Sequence, residues 1–203
     1  MRKKFLLVAL LAATTGLVQA QKAYTAGLKA GGNFFNLDID GSNQNYETRP
    51  SVNAGAFFHV PLMGKLSLQP ELLYSGEGTK YTEVVSKSKN TFRLHYINIP
   101  VLVQYEIASG FHVELGPQLG ILVQGQQKIK ATNGTESKID LLSKSFQAAS
   151  LSAAGGLGYT FNGRYGINAR YVRGLSDLSK VDNSPEITSS GFQVSLSIGF
   201  NQK

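Results

Sequence analysis

Two acids and two bases in this chain could work together if the backbone brought them to one point. Glu71 and Glu114 could form an acid/base couple, with one carboxyl donating and the other accepting a proton. Lys29 and Arg170 could neutralise that pair, and Arg93 is a further base. His59, His95 and His112 invite a metal or hydrolase reading. They lack the i, i+4 helical pairing of zinc proteases, and the chain has no cysteine to complete a site. No serine stands in a nucleophile elbow. Gly155-Gly156-Leu157-Gly158 has the glycine density of a phosphate loop, but it alternates like a strand with no helix after it, so the glycines thin a wall. Asn133-Gly134-Thr135 fits glycosylation by spacing alone and reads as a turn. The expectation is a non-enzyme with no catalytic residues, metal or cofactor.

Strands must position these side chains. The clearest is Gly191–Phe200, where Phe192, Val194, Leu196, Ile198 and Phe200 share one face and Gly191, Gln193, Ser195, Ser197 and Gly199 the other. Period two also fits segments at 26–34, 52–60, 66–74, 113–123, 151–159 and 165–171, whereas the helical template fails. The segment Phe92–Tyr105 changes parity. Phe92, Leu94 and Tyr96 oppose Ile97, Ile99, Val101, Val103 and Tyr105, so a bulge is expected at Tyr96-Ile97, leaving Arg93, His95, Asn98 and Gln104 inward. The expected total is eight strands.

A greasy strand face meets either a protein core or lipid, and the N-terminus helps to decide. Arg2, Lys3 and Lys4 precede a mostly apolar stretch from Phe5 to Val18, and Val18-Gln19-Ala20 is a small-residue cleavage site. Residues 1–20 therefore read as a secretory signal peptide, too short for a spanning helix, and residues 21–203 as one domain. Subtracting the leader's three bases from the formal charge of +7 leaves +4, scattered without a basic run. Nucleic acid is not an expected partner.

Connection lengths then point to lipid. Pro61, Met63-Gly64, Ser109-Gly110 and Asn162-Gly163 mark short turns, while 36–50, 76–91, 124–147 and 175–190 are long and polar. That asymmetry belongs to an eight-stranded antiparallel up-and-down transmembrane barrel. Aromatics fall into two belts. Tyr24, Phe58, Tyr105, Phe111, Tyr159, Tyr165 and Phe200 lie by the short turns, and Phe34, Tyr74, Tyr96, Tyr171 and Phe192 by the long loops. The all-β chain is thus expected in the outer membrane.

Eight strands leave a lumen just wide enough to be filled by side chains. Lys29, Glu71, Glu114 and Arg170 face it, with Arg93, His59, His95 and His112 as further candidates. Because an isolated buried charge is costly, acids and bases should pair into a structural plug; the alternative is a proton-sensitive or solute-conducting gate.

Several strings then take on a family look: Gly27-Leu28-Lys29-Ala30-Gly31, Gln69-Pro70-Glu71-Leu72-Leu73-Tyr74-Ser75, Tyr96-Ile97-Asn98-Ile99-Pro100, Gly116-Pro117-Gln118-Leu119-Gly120, Gly156-Leu157-Gly158-Tyr159, and Ala169-Arg170-Tyr171 with Gly174-Leu175. In that order they resemble the PorT-like outer-membrane β-barrel family of Bacteroidetes, commonly described as porin-family proteins. The resemblance covers nearly the whole mature chain. It implies an outer-membrane barrel with a periplasmic N-terminus; the family's namesake is tied to type IX secretion, while most relatives have no assigned role.

The functional expectation is a structural or interaction barrel without an open pore. Its partners would be outer-membrane lipid, the barrel-assembly machinery during biogenesis, and an envelope or secretion partner through the loops. The loop at 124–147, with Lys128, Lys130, Lys138 and Lys144 against Glu136 and Asp140, is the candidate surface. The alternatives are a small-solute porin, a type IX secretion accessory, a lipid-acting hydrolase and a periplasmic lipocalin-like binder.

Overall fold

Period-two alternation becomes backbone pairing in the computed structural model, which describes residues 24–39, 46–83, 87–132, 134–140, 147–179 and 186–201. The expected signal peptide and Lys144 lie outside these residues. The strands are β1 (Thr25–Ile39), β2 (Glu47–Pro61), β3 (Leu66–Glu77), β4 (Thr79–Thr82), β5 (Lys89–Ala108), β6 (Phe111–Lys130), β7 (Glu136–Asp140), β8 (Ala149–Phe161), β9 (Tyr165–Gly174) and β10 (Ile187–Asn201). Eight of them close a ring in the order β1-β2-β3-β5-β6-β8-β9-β10, and β10 returns antiparallel to β1. Every pairing in the ring is antiparallel. The short β4 fills the gap between the upper ends of β2 and β5, while β7 folds back on β6. Closure leaves the ring no free edge.

Turn chemistry makes one end of the ring tight. Asn162 and Gly163 both have positive φ, 50° and 63°, in the three-residue turn that joins Phe161 of β8 to Tyr165 of β9, where the Arg164 N–H donates to the Phe161 carbonyl at 2.9 Å. Gly64 and Gly110 supply the left-handed residue at the other two short turns. The opposite end is taller than period two in apolar residues suggested. β5 and β6 each run 20 residues, about twice the 9–11 that a tilted strand needs to cross a bilayer. Stretches expected as loops at 76–91 and 124–147 are partly strand. Beyond the lipid-facing band the outward positions turn polar, so the apolar-out, polar-in contrast fades from the sequence while the hydrogen-bonded ladder continues.

The bulge expected at Tyr96-Ile97 lies elsewhere. His95 pairs with Gln124 and Tyr96 with Leu122, so the additional residue, Val123, belongs to β6. β5 therefore keeps its alternation, with Leu94, Tyr96 and Asn98 buried inward. Three assignments change in consequence. Arg93 is exposed on the outer face and is not a lumen charge. His95 also faces outward, its Nδ1 hydrogen-bonded to the Tyr74 hydroxyl at 2.6 Å. Tyr96 is 1% exposed and inside the ring, so it belongs to no outer belt.

Candidate functional site

Inward parity brings Lys29 of β1, Glu71 of β3, Glu114 of β6 and Arg170 of β9 together across the lumen, all buried. Lys29 Nζ donates to Glu71 Oε1 at 2.6 Å, and Gln69 Nε2 donates to the same oxygen at 2.8 Å. Arg170 grips Glu71 with both terminal nitrogens, Nη1 to Oε2 and Nη2 to Oε1, each at 2.9 Å. Its Nε donates to Glu114 Oε1, also at 2.9 Å. Gln104 Nε2 donates to Glu114 Oε2 at 3.0 Å, and His59 Nδ1 donates to Gln104 Oε1 at 3.1 Å. Two full positive charges meet two full negative ones, and a guanidinium fork spans both acids as its geometry permits.

Small neighbours make this crossing possible. Arg170 sits opposite Gly156 in the ladder, and Lys29 opposite Gly55. A Cβ on Gly156 would come within 2.6 Å of the Arg170 Cβ. Gly156 thus makes room for the β9 backbone and the arginine stem, while Gly158 makes room for His112 and Asn168.

Above the four-charge cluster the lumen is lined by amides and hydroxyls with one further acid, Glu77, and then becomes apolar. Asn53 Nδ2 donates to Asn33 Oδ1 at 2.6 Å, Asn33 Nδ2 to Ser75 Oγ at 2.8 Å, and Ser195 Oγ to Asn53 Oδ1 at 3.0 Å. Glu77, not anticipated from the sequence, accepts from Ser189 Oγ at 2.8 Å and Asn98 Nδ2 at 3.2 Å. It continues the inward parity of Glu71, Leu73 and Ser75, a signal obscured where that strand was expected to end at residue 74. Nearer the loops, Leu37, Leu94, Tyr96, Leu122 and Leu178 pack into a buried cluster, with Phe92 and Ile187 against it. Leu178 comes from the β9–β10 connection, so a loop residue helps to cap the ring.

Below the charges a vestibule of about 660 Å³ opens at the tight-turn end. His59 and His112 line it, but its wall stops at Gln69 and Gln104 and does not include Glu71 or Glu114. Glu71 already accepts four hydrogen bonds and Glu114 two, which leaves little for a substrate proton. Among the described residues no three His, Asp or Glu side chains gather as a metal-binding set.

Outside, rings and aliphatic side chains face away from the lumen. Tyr24, Phe58, Tyr105, Phe111, Tyr159, Tyr165 and Phe200 are exposed near the turn end, and Phe34, Tyr74, Tyr171 and Phe192 nearer the loops. Between them stand Leu28, Leu72, Val103, Leu115, Leu157, Ile167 and Leu196, also exposed. In water such a continuous apolar girdle would be a severe liability; in hydrocarbon it is the expected wall.

No curated protein matches the chain. Among solved structures, Ail, the attachment invasion locus protein of Yersinia pestis, is similar at 14% identity, with 89% of this chain and 100% of that chain covered and a TM-score of 0.54. Neisserial surface protein A is similar at 13% identity, over 88% and 100% of the two chains, with the same TM-score of 0.54. At these identities the likeness is one of fold, that of small outer-membrane β-barrels. A family model described as outer membrane protein beta-barrel domain matches residues 19–180. The chain belongs to that family, and it is a β-barrel protein of the bacterial outer membrane.

Proposed function

We propose that this protein is a sealed, non-catalytic barrel that anchors an interaction surface at its loop end. The observation that carries this reading is the stacking inside the ring: a charge-balanced network, then amides and hydroxyls around Glu77, then an apolar cap. Water and ions crossing the wall would have to break the buried pairs, and leaving one partner of such a pair unmatched costs about 3–5 kcal/mol. The loop end is the outer end and the tight turns face the periplasm, in keeping with the short-turn, long-loop asymmetry of such barrels. A crystal structure of Ail holds the heparin analogue sucrose octasulfate, which supports a binding role for a barrel of this fold. The motif strings quoted above further support membership of the PorT-like branch, with an envelope or secretion partner engaged from the loop end.

Photo-crosslinking in native membranes tests the interaction role. Probes at positions 89 and 138 are expected to trap a partner or lipid, while probes at the turn positions 65 and 164 trap neither. Adducts confined to the turn positions would overturn the reading. Surface proteolysis of intact cells tests orientation independently: cleavage is expected at Lys87 or Lys89, with Lys65 and Arg164 spared.

A further inference from the structure

The outer face of β5 changes character at one point. From Tyr105 it runs through Val103, Val101, Ile99 and Ile97, nine residues in all, which is the length of one bilayer crossing. The next outward positions are His95, Arg93, Thr91 and Lys89. Its neighbour β6 does the same, passing from Leu119, Ile121 and Val123 to Gln126, Lys128 and Lys130. The basic face therefore begins where the lipid-facing band ends, at the depth of lipid headgroups.

The ladder then places like charges side by side. Lys89 pairs directly with Lys130, and Lys128 with Lys138. Strands are about 4.8 Å apart, and like charges directly opposite one another are unfavourable. Glu136 answers part of this, reaching Lys128 at 2.8 Å and Lys130 at 3.8 Å. No described carboxylate lies within ion-pair distance of Lys80, Lys89 or Arg93. These three bases and the two Glu136-paired lysines line a groove of about 460 Å³ with Glu47 and Glu136, five bases to two acids. At its lower edge Arg49, Arg93 and His95 lie close enough to feel one another's charge.

We propose that this strip seats the phosphate groups of an anionic lipid in the surrounding leaflet. Charge complementarity requires an anion, and continuity with the apolar band below requires an occupant that also has acyl chains. Guanidinium and ammonium groups together suit phosphate oxygens. The inference rests on the proposed orientation only for which leaflet supplies the lipid.

The test uses full-length protein folded in non-ionic detergent and a fluorescent bisphosphorylated glucosamine lipid. The Lys89→Gln, Arg93→Gln, Lys128→Gln triple variant is expected to raise the Kd about tenfold, each lost contact removing part of the charge-assisted binding. Arg173→Gln, on the outer face of β9, should leave it unchanged. Heat-modifiable migration verifies the fold, and Lys89→Glu alone, a milder change, should weaken binding severalfold. Equal affinity for the same lipid stripped of phosphate would overturn the proposal, as would wild-type affinity in the triple variant. Tighter binding of acyl-free sugar phosphate or sucrose octasulfate would reassign the strip to a soluble anion. Binding in detergent does not depend on orientation, so surface labelling of Lys89 on intact cells separates failure of that reading from failure of this one.

Discussion

Inside the ring, every charge of the central cluster meets its opposite; on the upper outer face, lysine is set against lysine. The contrast follows from solvent. In the lumen Lys29, Glu71, Glu114 and Arg170 are cut off from water, where an unmatched charge costs several kcal/mol, and these four balance one another, while Glu77 higher up is held by the neutral donors Ser189 and Asn98. On the outer face water screens the imbalance, and Lys89 beside Lys130 costs only tenths of a kcal/mol. Balance therefore governs the four-charge cluster, whereas like charges can stand side by side outside at little cost.

The contrast can be broken most severely at Arg170. Arg170→Met removes the bridge between two buried acids and is expected to cost about 3–5 kcal/mol, read as a lower urea midpoint for loss of heat-modifiable migration. The double variant Lys29→Met, Glu71→Gln removes one charge of each sign and leaves Arg170 on Glu114. It should cost clearly less than Arg170→Met, about 1–2 kcal/mol, because no full charge is stranded. A double variant as damaging as the single one would mean that packing, and not charge balance, governs the lumen. Gly156→Ala tests the room made for the arginine stem and should cost about 1–3 kcal/mol through overpacking.

Much of this lumen was legible in advance, and for a simple reason. The inward parity of Lys29, Glu71, Glu114 and Arg170 was fixed by apolar neighbours on the opposite face, where alternation is strong. Asn33 beside Phe34 and Asn53 beside Val52 share that parity for the same reason, whereas Glu77 lies past Tyr74 among Ser75, Gly76 and Gly78, which make no contrast. The faces of Arg93, His95 and Tyr96 are not legible in β5 by itself, because two adjacent apolar residues on one strand look the same whichever partner absorbs the irregularity. Val123 absorbs it across the ladder, a fact of pairing that β5 alone cannot encode. The apolar cap was hidden too, since Leu94 and Phe92 read equally well as lipid-facing.

Smaller effects sharpen the comparison at the loop end. Asp177 accepts backbone N–H bonds from Ser179 at 2.8 Å and Ile187 at 2.9 Å, and these hold its carboxyl below the ordinary range, the Ile187 bond foremost. A depressed folded pKa adds stability above the ordinary aspartate range, and that stability is lost as pH falls through the folded value. Hydrogen-exchange protection of the Ser179 and Ile187 amides, taken relative to the intrinsic rate at each pH, should therefore fall as pH falls below about 4, and Asp177→Asn should abolish that loss of protection. Smallest of all, Lys89→Glu turns a like pair into an opposite one and should raise stability by a few tenths of a kcal/mol while weakening phosphate-lipid binding. A gain in both would separate the strip from any binding role.

Planar-bilayer recording of the purified barrel tests the sealed lumen most directly. Wild-type protein is expected to insert without steady conductance, and Arg170→Met, if it inserts, to show intermittent ion flow through the unpaired network. A stable, open conductance from the wild-type barrel, unchanged by Arg170→Met, would contradict the assignment of the charge network as a plug.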